Sequence, residues 1–173
     1  MAQSPSHEDA FVIEPVRWAK DQADVTFLFT EYAKWLDLDL SFQDFAAELV
    51  ELPGKYTTPT GQLLLARSKS SGRAQGCVAI RLLPSASSGF CEMKRLYVLP
   101  AAQGRGIGKA LAEAAIREAS VLGYQRIRLD TLQGKMGSAI TVYRKLGFMP
   151  CEQYYETPLD DTVFLELDLA RGS

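Results

Sequence analysis

From Phe90 to Val98 the chain reads as a strand. It then passes through Leu99-Pro100-Ala101-Ala102 into Gln103-Gly104-Arg105-Gly106-Ile107-Gly108 and directly on into a helix over Lys109 to Val121. Leu111, Ala115, Ile116 and Ala119 share one face of that helix, and Gly123 follows as its stop. A strand feeding a helix through glycines points consecutive backbone N–H groups at the positive end of the helix, which makes a seat for an anion. Gly104, Gly106 and Gly108 remove side chains where a diphosphate must approach the main chain, while Arg105 and Lys109 supply cationic reach.

Spacing separates the nucleotide chemistries such a segment can serve. A P-loop needs Gly at 103 and Ser or Thr at 110, where the chain has Gln103 and Ala110. A dinucleotide fingerprint finds Gly104, Gly106 and, near the next strand end, Asp130, but its third glycine is Lys109. That fold also needs the fingerprint early in a repeated strand–helix–strand series, and here two helices and a hairpin come first.

Those earlier elements are a strand at 11–16, a helix at 19–36 and a second helix capped by Ser41 and running to Val50. A loop at 55–61 leads to strands at 62–67 and 76–82, joined by a Ser70-Ser71-Gly72 turn. Downstream, 126–131 alternates as a half-buried strand, 138–146 is a helix ended by Gly147, and 148–156 and 162–169 are terminal strands. The chain thus predicts one mixed α/β domain over 11–170 behind a disordered leader, 1–10, with its parallel strand pair connected across the 109–121 helix.

With 173 residues and 47% apolar composition the chain can bury a real core. A net charge of −2 provides no basic face for nucleic acid. No apolar run suits a membrane span or a signal peptide, so the expected location is cytoplasmic. Cys77, Cys91 and Cys151 are too scattered for a metal site and read as buried free thiols, and the single histidine, His7, lies in the leader. No metal is expected, and any acid or base must be Glu, Asp, Tyr, Lys or Cys.

Lys94-Arg95-Leu96-Tyr97-Val98-x-Pro100 followed by Gln103-x-x-Gly106-x-Gly108 resembles motif A of the GNAT superfamily of N-acetyltransferases. Ala139-Ile140-x-x-Tyr143-x-Lys145-Leu146-Gly147-Phe148 is similar to its motif B. The resemblance covers 11 to about 169 and implies an α+β fold, a mixed central sheet of about six to seven strands in the order β-α-α-β-β-β-α-β-α-β-β. It also implies acetyl-CoA as co-substrate. Leu96, Tyr97 and Val98 would splay from the next parallel strand and bind the pantetheine arm, with Val98 foremost. Gln103, Gly104, Arg105, Gly106, Ile107, Gly108 and Lys109 would take the pyrophosphate. Tyr143 would face the thioester sulfur as general acid, or stabilise the departing thiolate. One departure is Met136, where relatives often carry Asn; Ser138 is the nearest polar replacement.

An ammonium must lose a proton before it attacks a thioester, and Glu92 is the candidate base, itself or through a water. It lies on the strand entering motif A, where the histone-acetylating branch resembles it in placing its glutamate. Phe90 and Leu96 are its expected neighbours and Lys94 its competing partner. Cys91 points to the opposite face, which disfavours a cysteine nucleophile and leaves direct attack in a ternary complex. Asp130 is expected to pair with Arg126 or Arg128. Tyr154-Tyr155, and Tyr56 with Lys55, are candidates to line or cover the acceptor site. Six acids over 31–51 (Glu31, Asp37, Asp39, Asp44, Glu48, Glu51) against Lys34 would attract a cationic amine at its mouth, whereas Arg81 and Arg95 leave room for a carboxylate on the acceptor. A small molecule or amino-acid derivative is placed ahead of a protein or peptide amine. A non-catalytic acyl-CoA sensor is the rival class. The protein is expected to be a monomer or a homodimer, the latter through its terminal strands.

Overall fold

The structure is a computed structural model that describes residues 9–84 and 89–172. Most of the expected leader, with His7, lies outside the described residues. Asp9 and Ala10 do not belong to a free leader, because the Ala10 carbonyl accepts from Lys69 N at 2.7 Å and Asp9 from Ser70 N at 3.3 Å.

Seven strands form one sheet: β1 (Phe11–Pro15), β2 (Gln62–Ser68), β3 (Ala74–Leu82), β4 (Phe90–Val98), β5 (Arg126–Leu132), β6 (Met149–Pro150) and β7 (Thr162–Asp168), in the order β1-β2-β3-β4-β5-β7-β6. Helices α1 (Trp18–Leu36) and α2 (Phe45–Glu51) precede β2, α3 (Ile107–Val121) connects β4 to β5, and α4 (Gly137–Lys145) follows β5. Every pairing is antiparallel except β4 with β5, the pair that α3 connects. None of the described helices is long and apolar enough to cross a membrane.

The apolar runs of β2 and β3 are continuous because both faces of the sheet are covered. Leu63, Leu65, Cys77 and Ala79 pack against Val25, Leu28, Phe29, Tyr32 and Leu36 of α1. Leu64, Ala66, Val78 and Ile80 pack on the other side against Ile107, Leu111, Ala115 and Ala119 of α3. Burial pushes the Cys77 and Cys91 thiols up to about 12, so both are inert packing groups, and Cys91 faces the α3 side as period-two alternation required.

Two expectations are corrected. Ser41 does not cap the second helix; Asp39 Oδ1 takes its N–H at 2.8 Å, a tight turn follows over Ser41–Gln43, and Asp44 enters α2 in the left-handed conformation. The strand expected over 148–156 shrinks to Met149–Pro150; Cys151 N still donates to Phe164 O at 3.0 Å, and the chain then leaves the sheet. Tyr154 and Tyr155 instead pack edge-on against Phe164, with centroids 5.1 and 5.4 Å away. β6 is the edge of the sheet at this end and pairs with β7 only at Glu166 and Leu165.

The feature that positions the site is a bulge in β4. Lys94 faces Ala79 and Tyr97 faces Cys77, so Arg95 and Leu96 together oppose Val78, and Arg95 takes a left-handed φ of 60°. Alternation is reset there. Arg95 and Tyr97 join Glu92 and Lys94 on the α1 side, and Leu96 turns to the α3 side. Leu96 is therefore not the neighbour of Glu92 that uninterrupted alternation predicted.

Candidate active site

Parallel pairing of β4 with β5 covers only Phe90 to Glu92 against Arg126 to Arg128, and beyond that the strands diverge. The gap opens into a groove of about 530 Å³. Leu96, Tyr97 and Val98 line it from β4; Gln103, Gly104, Gly106, Ile107, Gly108 and Lys109 line it from the α3 entrance; Tyr143 closes it from α4. Of the predicted cofactor residues only Arg105 is not on this wall; its Nη2 is buried without a hydrogen-bond partner.

The main chain explains why Val98 matters. Leu99 N donates to Gln75 O at 2.9 Å, which makes Gly76–Val98 a non-hydrogen-bonded pair. The N–H and C=O of Val98 therefore point away from β3 into the gap, an edge for an extended amide-bearing arm. Gln103 Nε2 already occupies one side of that carbonyl, at 3.1 Å.

At the α3 entrance Gly104 and Gly106 each have φ of +79°, which only glycine adopts without strain. A Cβ built on either would meet nothing within 4 Å, so the space over the loop is open to a ligand. The first amides of α3 have no acceptor within the helix and sit at its positive end. These residues fit a diphosphate.

Tyr143 is buried, packs edge-on against Phe148 at 5.7 Å, and lines both this groove and a smaller polar pocket through the sheet. Its hydroxyl makes no hydrogen bond among the described residues. Burial, aided by the charge of Asp130, holds the phenol well above its ordinary value, so it stays protonated and is a standing donor. Met136, in place of the family's Asn, fills the wall with its thioether 3.1 Å from Thr131 Oγ1, and Ser138 also lines the groove.

The polar pocket has about 40 Å³ of free space, lined on the α1 side by Tyr32, Gln43, Lys94, Arg95 and Asp130. Glu92 is fully buried but is not on its wall. Arg81 Nε and Nη2 both reach Glu92 Oε1 at 2.9 Å, Tyr154 donates to Oε2 at 2.7 Å, and Lys94 Nζ stands 4.0 Å off. Asp130 does not pair with Arg126 or Arg128, because both arginines are taken by Glu166 at 2.6 Å. It accepts instead from Tyr155 at 2.8 Å, and burial, with Glu92 nearby, raises its carboxyl above the ordinary value. Tyr154 and Tyr155 thus cover the two acids and do not line the pocket.

Glu48 was expected among solvent-facing acids, but it is buried against Arg95 at 2.9 Å and holds Tyr56 and Lys55 as well. Of the other acids, Asp44 and Glu51 line a cavity of about 140 Å³ together with Glu48 and Lys55, whereas Glu31 pairs with Lys34, Asp39 holds the Ser41 turn and Asp37 takes a left-handed position at the end of α1. Sequence reading missed Gln43 and Lys94 as pocket residues. The signal for Lys94 was its place in the KRLYV run; Gln43 carried none.

Comparison with known proteins agrees with this geometry. The acetyltransferase (GNAT) family matches residues 18–148. An uncharacterized N-acetyltransferase of Schizosaccharomyces pombe is 36% identical over 159 residues, covering 92% of this chain and 95% of its own. Among solved structures, an acetyltransferase of the GNAT family from Staphylococcus aureus superposes with a TM-score of 0.73 at 19% identity, over 92% of this chain and 99% of its own. A spermidine N-acetyltransferase from Vibrio cholerae, solved with CoA and spermine, superposes with a TM-score of 0.68 at 15% identity, over 92% and 96%.

Proposed function

Since the chain belongs to the acetyltransferase (GNAT) family, we propose that it transfers the acetyl group of acetyl-CoA to a primary amine by direct attack in a ternary complex. The observation that carries this reading is the shared lining of one groove by the outward main chain of Val98, the open glycine turn at the start of α3 and the hydroxyl-bearing ring of Tyr143. Acetyl-CoA supplies the thioester at which the amine attacks. The 104–108 amides hold the pyrophosphate and Val98 takes the pantetheine arm. Lys109, more than half exposed, adds charge at the rim.

As the C–N bond forms and the C–S bond breaks, Tyr143 donates a hydrogen bond to the sulfur. A phenol held this high is a weaker acid than an ordinary thiol, whose pKa is near about 8.5, so stabilising the thiolate is favoured over full proton transfer. The amine's proton leaves on the α1 side. Glu92 acts there through a water, because it is not on the pocket wall and its Oε2, with Tyr154 as its one donor, keeps a lone pair for that water. The narrow pocket supports a small molecule or amino-acid derivative as acceptor, ahead of a peptide. Three free thiols suit a reducing compartment such as the cytoplasm.

Free thiol released from acetyl-CoA, followed across a panel of amines and peptides, tests the proposal. Release that depends on both acetyl-CoA and an amine is expected. Tight acetyl-CoA binding with no amine-dependent release anywhere in the panel would make the protein a sensor instead.

A further inference from the structure

The polar pocket holds two cationic side chains whose hydrogen-bonding capacity the protein leaves open. Consecutive strand residues normally point to opposite faces, but the bulge at Arg95 brings Lys94 and Arg95 to the same side. Arg95 gives Nε to Glu48 and Nη1 to Gln43, each at 2.9 Å, and lies over the rings of Phe45 and Tyr32, while Nη2 is buried with no hydrogen-bond acceptor among the described residues. Its side chain is only 2% exposed, so solvent does not satisfy that N–H. Lys94, 10% exposed, has one carboxylate in range, Glu92 Oε1 at 4.0 Å, beyond hydrogen-bond distance and already occupied twice by Arg81.

A buried cationic donor without an acceptor, as Arg95 Nη2 is, is costly unless a ligand completes it, and Lys94 Nζ stands beside it on the same wall. Across the gap, Asp130 on β5 gives one oxygen to Tyr155, and its other oxygen has no hydrogen bond among the described residues. We propose that the acceptor carries a carboxylate a few carbons from its reactive amine, as an amino acid or close derivative does, with the carboxylate received by Lys94 Nζ and Arg95 Nη2 and the amine facing Asp130. This rests on the groove being the acetyl-donor site.

Charge and size narrow the class. A free space of about 40 Å³ admits a group of a few heavy atoms, which a carboxylate satisfies and a bulky headgroup does not. Glu92 and Asp130 stand against a doubly charged anion, whereas a single carboxylate is balanced by the Lys94 ammonium. Burial already lowers the pKa of that ammonium to about 8, opposed by Glu92, and an anionic guest relieves the cost.

The test uses matched series of amino acids, their carboxamides and the corresponding decarboxylated amines, with thiol release as readout. The acids should exceed their amides and amines in kcat/KM by roughly ten- to a hundredfold, the range of a hydrogen-bonded charge. In Lys94→Met that preference should collapse, chiefly through KM. Thermal shift of the CoA-saturated protein by the same acids gives a second readout independent of turnover, and the wild-type series stands alone if the variant does not fold. Acids and amides turned over equally, or amines preferred, overturn the proposal and leave acetyl transfer intact. Acids that bind through Lys94 while no amine releases thiol overturn acetyl transfer and leave the carboxylate site standing.

Discussion

Tyr143→Phe should lower kcat by about a hundredfold or more, the usual cost of removing one donor to developing negative charge, while acetyl-CoA binding is retained. The unusual part of the expectation concerns stability. The Tyr143 hydroxyl makes no hydrogen bond among the described residues and its ring lines the open groove, so no protein contact is lost with it. Phenylalanine keeps the edge-on contact with Phe148 and gives up no protein hydrogen bond, so Tm should hold. Steady-state kinetics and a melting curve on the same preparation decide the matter. A fall in Tm with kcat unchanged would make Tyr143 a packing residue and remove it from the mechanism.

Glu48→Gln should be the most destabilising of the conservative changes. Glu48 and Arg95 are each almost fully buried, and Tyr56 and Lys55 close on the same carboxylate. Removing one charge leaves the other uncompensated in the interior, which costs about 3–5 kcal/mol. For a domain of this size that is a fall in Tm of roughly 6–20 °C. The same pair gives stability an acid limb. Burial alone raises the Glu48 carboxyl, but Arg95, Tyr56 and Lys55 outweigh it and hold the group below its usual 4.5. The native state therefore binds this proton less readily than the unfolded chain. Its contribution is complete above about pH 4.5 and is lost as pH falls through the depressed native value. Denaturant titrations at pH 7 and below pH 4 should show the difference between wild type and Glu48→Gln narrowing on the acid side. A difference that does not change with pH would show that Glu48 is not ionised in the native state.

The lining of the groove was legible because its signals are local. The glycines at 104 and 106 occupy backbone positions that other residues rarely take, and the helix start at 107 follows directly from them, within two residues of the expected bound. Tyr143 was found by motif spacing and lies on the same groove. The polar pocket was not legible, because it depends on a left-handed arginine that no residue-type rule announces. Without the Arg95 bulge, Leu96 belongs beside Glu92 and Arg95 on the opposite face. With it, Arg95 meets Glu48 of α2, and Lys94 and Arg95 share a pocket. The partners of Asp130 were misjudged for a related reason: Glu166 lies across the β5–β7 pair, directly opposite Arg128, and takes both arginines first. Tyr154 and Tyr155 read as strand residues, although the chain leaves the sheet before them.

The central claim is that the groove between β4 and β5 holds acetyl-CoA, and the melting temperature measured with and without it tests that claim most directly. A ligand at a hundred times its Kd adds about 2.7 kcal/mol to a native state that alone binds it. For a chain of this length that predicts a rise of roughly 5–11 °C. An unchanged melting temperature at millimolar acetyl-CoA would contradict the account.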